Sequence, residues 1–162
     1  MYDMKIVMDS DCLIKLTKAG LKEDLCGVFS ISITGRVHEE VVERGRDKGR
    51  DDAFLVEENI AKGRIRIERA DRPEGRPGEA EAVALFLEGG FDAIGSDDRR
   101  FLGKLRISGI PYVTPAVCVA LLAKERKWKL SPALSKLESL SPWISDEEYR
   151  TVKLFLERGG IK

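Results

Sequence analysis

A chain of 162 residues with 43% hydrophobic side chains fits one domain of ordinary size and can bury a core without disulfide or metal staples. Its 28 basic and 28 acidic side chains cancel, which argues against a general nucleic-acid-coating protein and leaves only local patches to attract a polyanion. Cys12, Cys26 and Cys118 are odd in number and unpaired in spacing, and His38 is the only histidine, so a zinc site of Cys and His is disfavoured.

The cysteines read instead as small buried hydrophobes of a reducing, cytoplasmic setting. Charged residues reach 35%, a surface resembling that of heat-adapted proteins. No basic and apolar leader opens the chain and no apolar run has membrane-spanning length, so a soluble protein is expected, with no membrane partner.

In chain order, "MKIVM" at Met4 to Met8 is a short apolar strand ended by "DSD", and "CLIKLTKAG" has helical spacing at Leu13, Leu16 and Thr17 before Gly20. A helix in "KEDLCGVF" leads to the strand "SISIT", then to helical patterns in "GRVHEEVVERGRDKG" and "DDAFLVEENIAKG". "RIRIE" alternates as a half-exposed strand, and Pro73 to Gly78 forms a surface connector. Helix "GEAEAVALFLEGG", strand "FDAIGS", helix "DRRFLGKLRISG", strand "IPYVT" and helix "PAVCVALLAKERK" follow.

This alternation predicts an α/β fold with a central parallel sheet of about five strands flanked by helices. The tail contains two helices with no strand between them, one starting at Ser131-Pro132 and one at a capping box of Ser145 to Glu148. The expected division is a domain over 1–130 with a helical extension, 131–162, packed on it.

In such a sheet the ligand site lies beyond the carboxyl ends of the strands, and few acids fall there. Asp9 and Asp11 follow the first strand, and Asp97 and Asp98 follow the fourth. Glu40 stands one turn beyond Val37 on the inward stripe, and Glu81 sits inside a helix otherwise apolar from Ala82 to Leu87. Each has a bland explanation: Asp11 as a helix cap, Ser96, Asp97 or Asp98 as another, Glu79 as a complement to a helix dipole, Glu40 as a solvated neighbour of Glu39. Acids from separate segments that meet at one sheet end share only one reason, a hard cation such as Mg²⁺ or Mn²⁺.

The segments "IVMDSDCLIKL", "VHEEVV", "GEAEAVAL" and "AIGSDDRRF" with "ISGIPYVTP", in that order, resemble a PIN-domain protein, the fold of the VapC toxin ribonucleases. The resemblance implies a three-layer α/β/α fold with extra C-terminal helices, and a Mg²⁺- or Mn²⁺-dependent endoribonuclease acting on RNA. It implies Asp9, Glu40, Glu81 and Asp98 as metal ligands, with Asp97 or Asp98 positioning the attacking water. Arg99, Arg100 and Lys104 are the choice for holding the phosphate backbone. Asp11 departs from the pattern, which commonly has Ser, Thr or Asn there, and is expected to stand behind the ligands. The same resemblance implies a toxin with a small antitoxin partner and a homodimer, for which the apolar tail helix "YRTVKLFL" offers a surface.

Two rival readings remain open on sequence. A haloacid-dehalogenase-like phosphatase would use Asp9 and Asp11, with Thr34 and the Asp97/Asp98 pair in its later motifs, but leaves Glu40 and Glu81 unexplained. A catalytically inactive PIN module would bind RNA or protein without cutting.

Overall fold

The computed structural model describes residues 4–43, 51–69 and 78–159. Five strands form one sheet in the order β3-β2-β1-β4-β5, and every pairing is parallel. They are β1 (Lys5–Met8), β2 (Ser30–Thr34), β3 (Ile65–Glu68), β4 (Ala93–Gly95) and β5 (Tyr112–Val113). The helices are α1 (Ser10–Lys18), α2 (Lys22–Val28), α3 (Gly35–His38), α4 (Asp51–Ala61), α5 (Gly78–Leu87), α6 (Arg99–Ile107), α7 (Pro115–Glu125), α8 (Leu130–Leu140) and α9 (Asp146–Glu157).

The strands are short and apolar because both faces are covered, as a parallel sheet requires. Ile6 and Met8 point into one core with Ile31, Ile33, Ala93 and Val113, while Val7 and Ile94, between them in register, point into the other. The first core receives α1, α2, α4, α7, α8 and α9 and the second receives α5 and α6, so the architecture is three-layered α/β/α. Leu137, Leu140, Val152 and Leu156 of the last two helices belong to the first core, which fastens the C-terminal extension to the sheet.

Local expectations are corrected at several places. After β2 the helix is α-helical only over Gly35–His38 and widens to a π-helix over Glu39–Glu43, with Glu40 in its first turn. Leu130, not Pro132, opens α8, with Lys129 at an N-cap that makes no side-chain bond. Pro132 is tolerated there because first-turn N–H groups have no partner inside the helix. Residues 44–50 of the "GRVHEEVVERGRDKG" pattern and residues 70–77 of the Pro/Gly connector lie outside the described residues. No helix among the described residues is long and apolar enough to cross a membrane.

Candidate active site

β1 and β4 are hydrogen-bonded neighbours, yet the chain leaves them toward opposite layers, through α1 into one core and α6 into the other. That divergence opens a crevice at their carboxyl ends. The backbone ladder runs one residue past both strands: Asp9 N–H donates to the Gly95 carbonyl at 2.9 Å, and Ser96 N–H to the Val113 carbonyl at 3.0 Å. A Cβ on Gly95 would lie 3.2 Å from Met8 Cε, tighter than ordinary contact, so the missing side chain lets the two strand ends close over Met8.

The strand ends pass directly into helix N-termini. Asp9, Thr34, Asp98 and Thr114 are the N-caps of α1, α3, α6 and α7, so these positive helix ends face the carboxyl side of the sheet. Asp9, not Asp11, caps α1, because the helix begins at Ser10, earlier than the apolar periodicity suggests. Asp9 Oδ1 accepts the Cys12 N–H at 2.9 Å, and its Oδ2 accepts the Ser96 hydroxyl. Asp98 Oδ1 caps α6 through Arg100 N–H (2.9 Å) and Phe101 N–H (3.2 Å), while its own N–H donates to Ser96 Oγ at 3.2 Å. Ser96 therefore joins two of the expected acids.

Burial pushes the Asp9 carboxyl up to about 6, against the hydrogen bonds from Ser96 and Cys12, and the charges of Asp11 and Asp98 add to the rise. Like charges at a half-buried carboxylate are the condition that a bound cation relieves. Glu40 stands close by: its Oε2 accepts the Ser10 hydroxyl at 2.8 Å and its Oε1 the Arg36 Nε at 3.2 Å. Gly78, at the start of α5, packs against Arg36, with 3.4 Å between a Cβ built on it and Arg36 Cγ. That contact brings the start of α5, whose first turn holds Glu79 and Glu81, beside Arg36, the partner of Glu40.

The other expected residues are less convergent. Glu81 is half-buried in the first turn of α5 and bonds no described residue. Asp97 binds Lys15 Nζ at 2.5 Å, beside a cleft of about 800 Å³. Asp11 is 54% exposed and ion-pairs with Lys15 at 3.1 Å. Arg99 pairs with Glu147 at 3.2 Å and Lys104 approaches Glu79 at 3.9 Å; both pairs are solvated and weak, so neither cation is withheld from a phosphate. Arg100 is exposed and forms no ion pair with a described residue.

The donor chemistry fits a hard divalent cation. Asp9, Asp98 and Glu40 offer carboxylate oxygens, whereas Cys12 and Cys118 are buried and burial holds the Cys12 thiol well above its ordinary range. Among the described residues no three acidic, Cys or His side chains form a ready-made cation cage.

Sequence reasoning missed Ser10, Lys15, Arg36, Glu148 and the bridging role of Ser96. Lys15 had a visible signal in its i,i+4 spacing from Asp11. Arg36 had the same signal from Glu40, Ser96 was visible only as a cap, and the contacts of Ser10 and Glu148 cross between distant segments.

No curated protein matches the chain. A family model described as a PIN domain matches residues 5–157, nearly the whole chain and including the C-terminal helices. Together with the all-parallel sheet, that match shows that the chain belongs to the PIN-domain family.

Proposed function

We propose that this protein is a metal-dependent endoribonuclease of the VapC-like kind, cutting phosphodiester bonds of RNA at the crevice between β1 and β4. PIN domains are generally metal-dependent nucleases that use Mg²⁺ or Mn²⁺. The observation that carries the reading is the pair Asp9 and Asp98, joined through Ser96 at the switch point. These two carboxylates are the core of the proposed ligand set, and Glu40, from the π-helix after α3, and Glu81, from α5, complete it.

When bound, the ion supplies charge neutralisation and lowers the pKa of a water at the scissile phosphate. The chain's own residues do the rest. Asp97, oriented by Lys15, positions that water as its acceptor. The N-termini of α1 and α6 favour the negative phosphate, and Arg99, Arg100 and Lys104 hold the backbone. Asp11 keeps Lys15 in place beside Asp97. Residues 1–130 then form the nuclease domain and 131–162 an extension that closes one side of the cleft.

The toxin role, the antitoxin partner and a homodimer belong to the same proposal. Leu154 and Phe155 of α9 are 50% and 38% exposed and supply an apolar surface for a partner. The test is a substrate panel in Mn²⁺: mixed-sequence RNA, single-stranded DNA and a small aryl phosphate. Cleavage of RNA with the aryl phosphate untouched supports the reading. Turnover of the aryl phosphate with phosphate trapped on Asp9 would favour the phosphatase. Binding of RNA without cleavage would favour the inactive module.

A further inference from the structure

The first turn of α9 sends a carboxyl into the site from the opposite end of the chain. Ser145 Oγ accepts the Glu148 N–H at 3.1 Å, which fixes the start of the helix. In a closed capping box the Glu148 side chain would return to Ser145 N–H. It does not. Its Oε1 accepts the Ala116 N–H at 3.1 Å, at the start of α7. There Pro115 has no N–H to offer and Thr114 Oγ already accepts from Val117 at 3.2 Å, so Glu148 satisfies an otherwise orphaned donor of that first turn.

The same carboxyl lines one cleft with Thr114 and Asp97, near enough to both for each to shift its titration. Asp97 thus has Lys15 of α1 as its ion-pair partner and Glu148 of α9 as a neighbour across the same cleft. Both contacts face the cleft that Arg99, Arg106, Tyr112 and Glu147 also line. A carboxylate fixed by two partners from separate elements keeps one orientation.

We propose that Glu148 is a positioning residue: from the C-terminal extension it holds Asp97 in the orientation the site requires, so the extension is a working part of the site. The activity arm of this inference rests on the nuclease reading, while the contact itself does not. Two carboxyls hydrogen-bond only when one carries a proton. Burial and then Asp97 push Glu148 up to about 7, against the Thr114 and Ala116 donors, so Glu148 still carries a proton where an ordinary carboxyl has lost it. The charged or titratable groups that line the cleft with Glu148 are Asp97, Lys15, Arg99, Arg106, Tyr112 and Glu147.

The experiment compares Glu148→Ala and Glu148→Gln. A glutamine accepts from Ala116 with its amide oxygen and donates to Asp97 with its amide nitrogen, needing no shared proton. Glu148→Ala is expected to lower kcat on the order of 10- to 100-fold with KM little changed. Glu148→Gln is expected to restore the rate and remove the loss of activity near pH 7 that ionisation of Glu148 causes in the wild type. A fastening role alone predicts a lower Tm for the alanine variant with kcat intact at temperatures where it stays folded, and that result overturns the proposal.

A second readout needs no cleavage. In carboxyl ¹³C NMR titrations, Glu148 should fall from about 7 toward its ordinary value in Asp97→Asn. An unchanged Glu148 titration overturns the contact even in an active enzyme. If the wild type fails to cut RNA while the titration shifts as expected, the nuclease reading fails and the Asp97–Glu148 contact stands.

Discussion

The Ser96 hydroxyl donates to Asp9 Oδ2 while its oxygen accepts the Asp98 N–H, so one fully buried side chain ties the end of β1 to the start of α6. Because β1 and β4 feed opposite layers, a single hydroxyl here reaches acids on both sides of the crevice.

Ser96→Ala removes the hydrogen bond that opposes the rise of Asp9 and strands the Asp98 N–H. The Asp9 carboxyl should then titrate above its present value of about 6. Leaving buried polar groups unmatched should cost on the order of 1–3 kcal/mol in urea unfolding of the metal-free protein. An unchanged Asp9 titration together with unchanged stability would show that the bridge is idle.

Asp9 also makes stability depend on pH in a definite direction. Its folded pKa, about 6, lies above the ordinary 3.8, so between those values the folded state holds a proton that the unfolded chain has released. Its contribution is fully present below about pH 4 and is lost as pH rises through 6. Asp9→Asn keeps a good cap without a charge to bury, so the metal-free variant should match the wild type near pH 4 and exceed it at pH 7. The gain at pH 7 should be on the order of 3 kcal/mol at most, by urea unfolding at both pH values. A variant less stable than wild type at pH 7 would refute the burial of a costly charge.

Much of this was legible in the sequence, and the exceptions have physical causes. "MKIVM" and "SISIT" announce strands because buried parallel strands are nearly continuous apolar runs, and their exits at Asp9 and Thr34 follow from where those runs stop. The site's position follows from strand order, which the alternating pattern constrains. The π-turn at Glu39–Glu43 was not legible, since neighbouring packing decides such widening and no residue type marks it. Glu148 was hidden for the opposite reason: the Ser145 to Glu148 spacing fits a local capping box so well that nothing suggests the side chain reaches Ala116 and Asp97 instead. Contacts between segments this far apart leave no periodicity to read.

Asp98 separates capping from metal binding. Its carboxylate caps α6, and asparagine caps about as well, so Asp98→Asn should leave the metal-free Tm unchanged or slightly higher, whereas Asp98→Ala should lose on the order of 1 kcal/mol. If Asp98 is also a ligand, Asp98→Asn should abolish the Tm increase that Mn²⁺ gives the wild type. An undiminished Mn²⁺ shift in Asp98→Asn would reduce Asp98 to a cap.

The central claim is that the acids at the β1–β4 crevice make a metal-dependent ribonuclease, and the rate of cleavage of a mixed-sequence RNA by wild type and Asp9→Asn tests it most directly. The wild type should cut in Mn²⁺, stop in EDTA and resume when Mn²⁺ is restored in excess. Folded Asp9→Asn should be slower by on the order of 100-fold or more. Cleavage that persists in EDTA or in Asp9→Asn, or no cleavage by folded wild type saturated with Mn²⁺, would contradict the account.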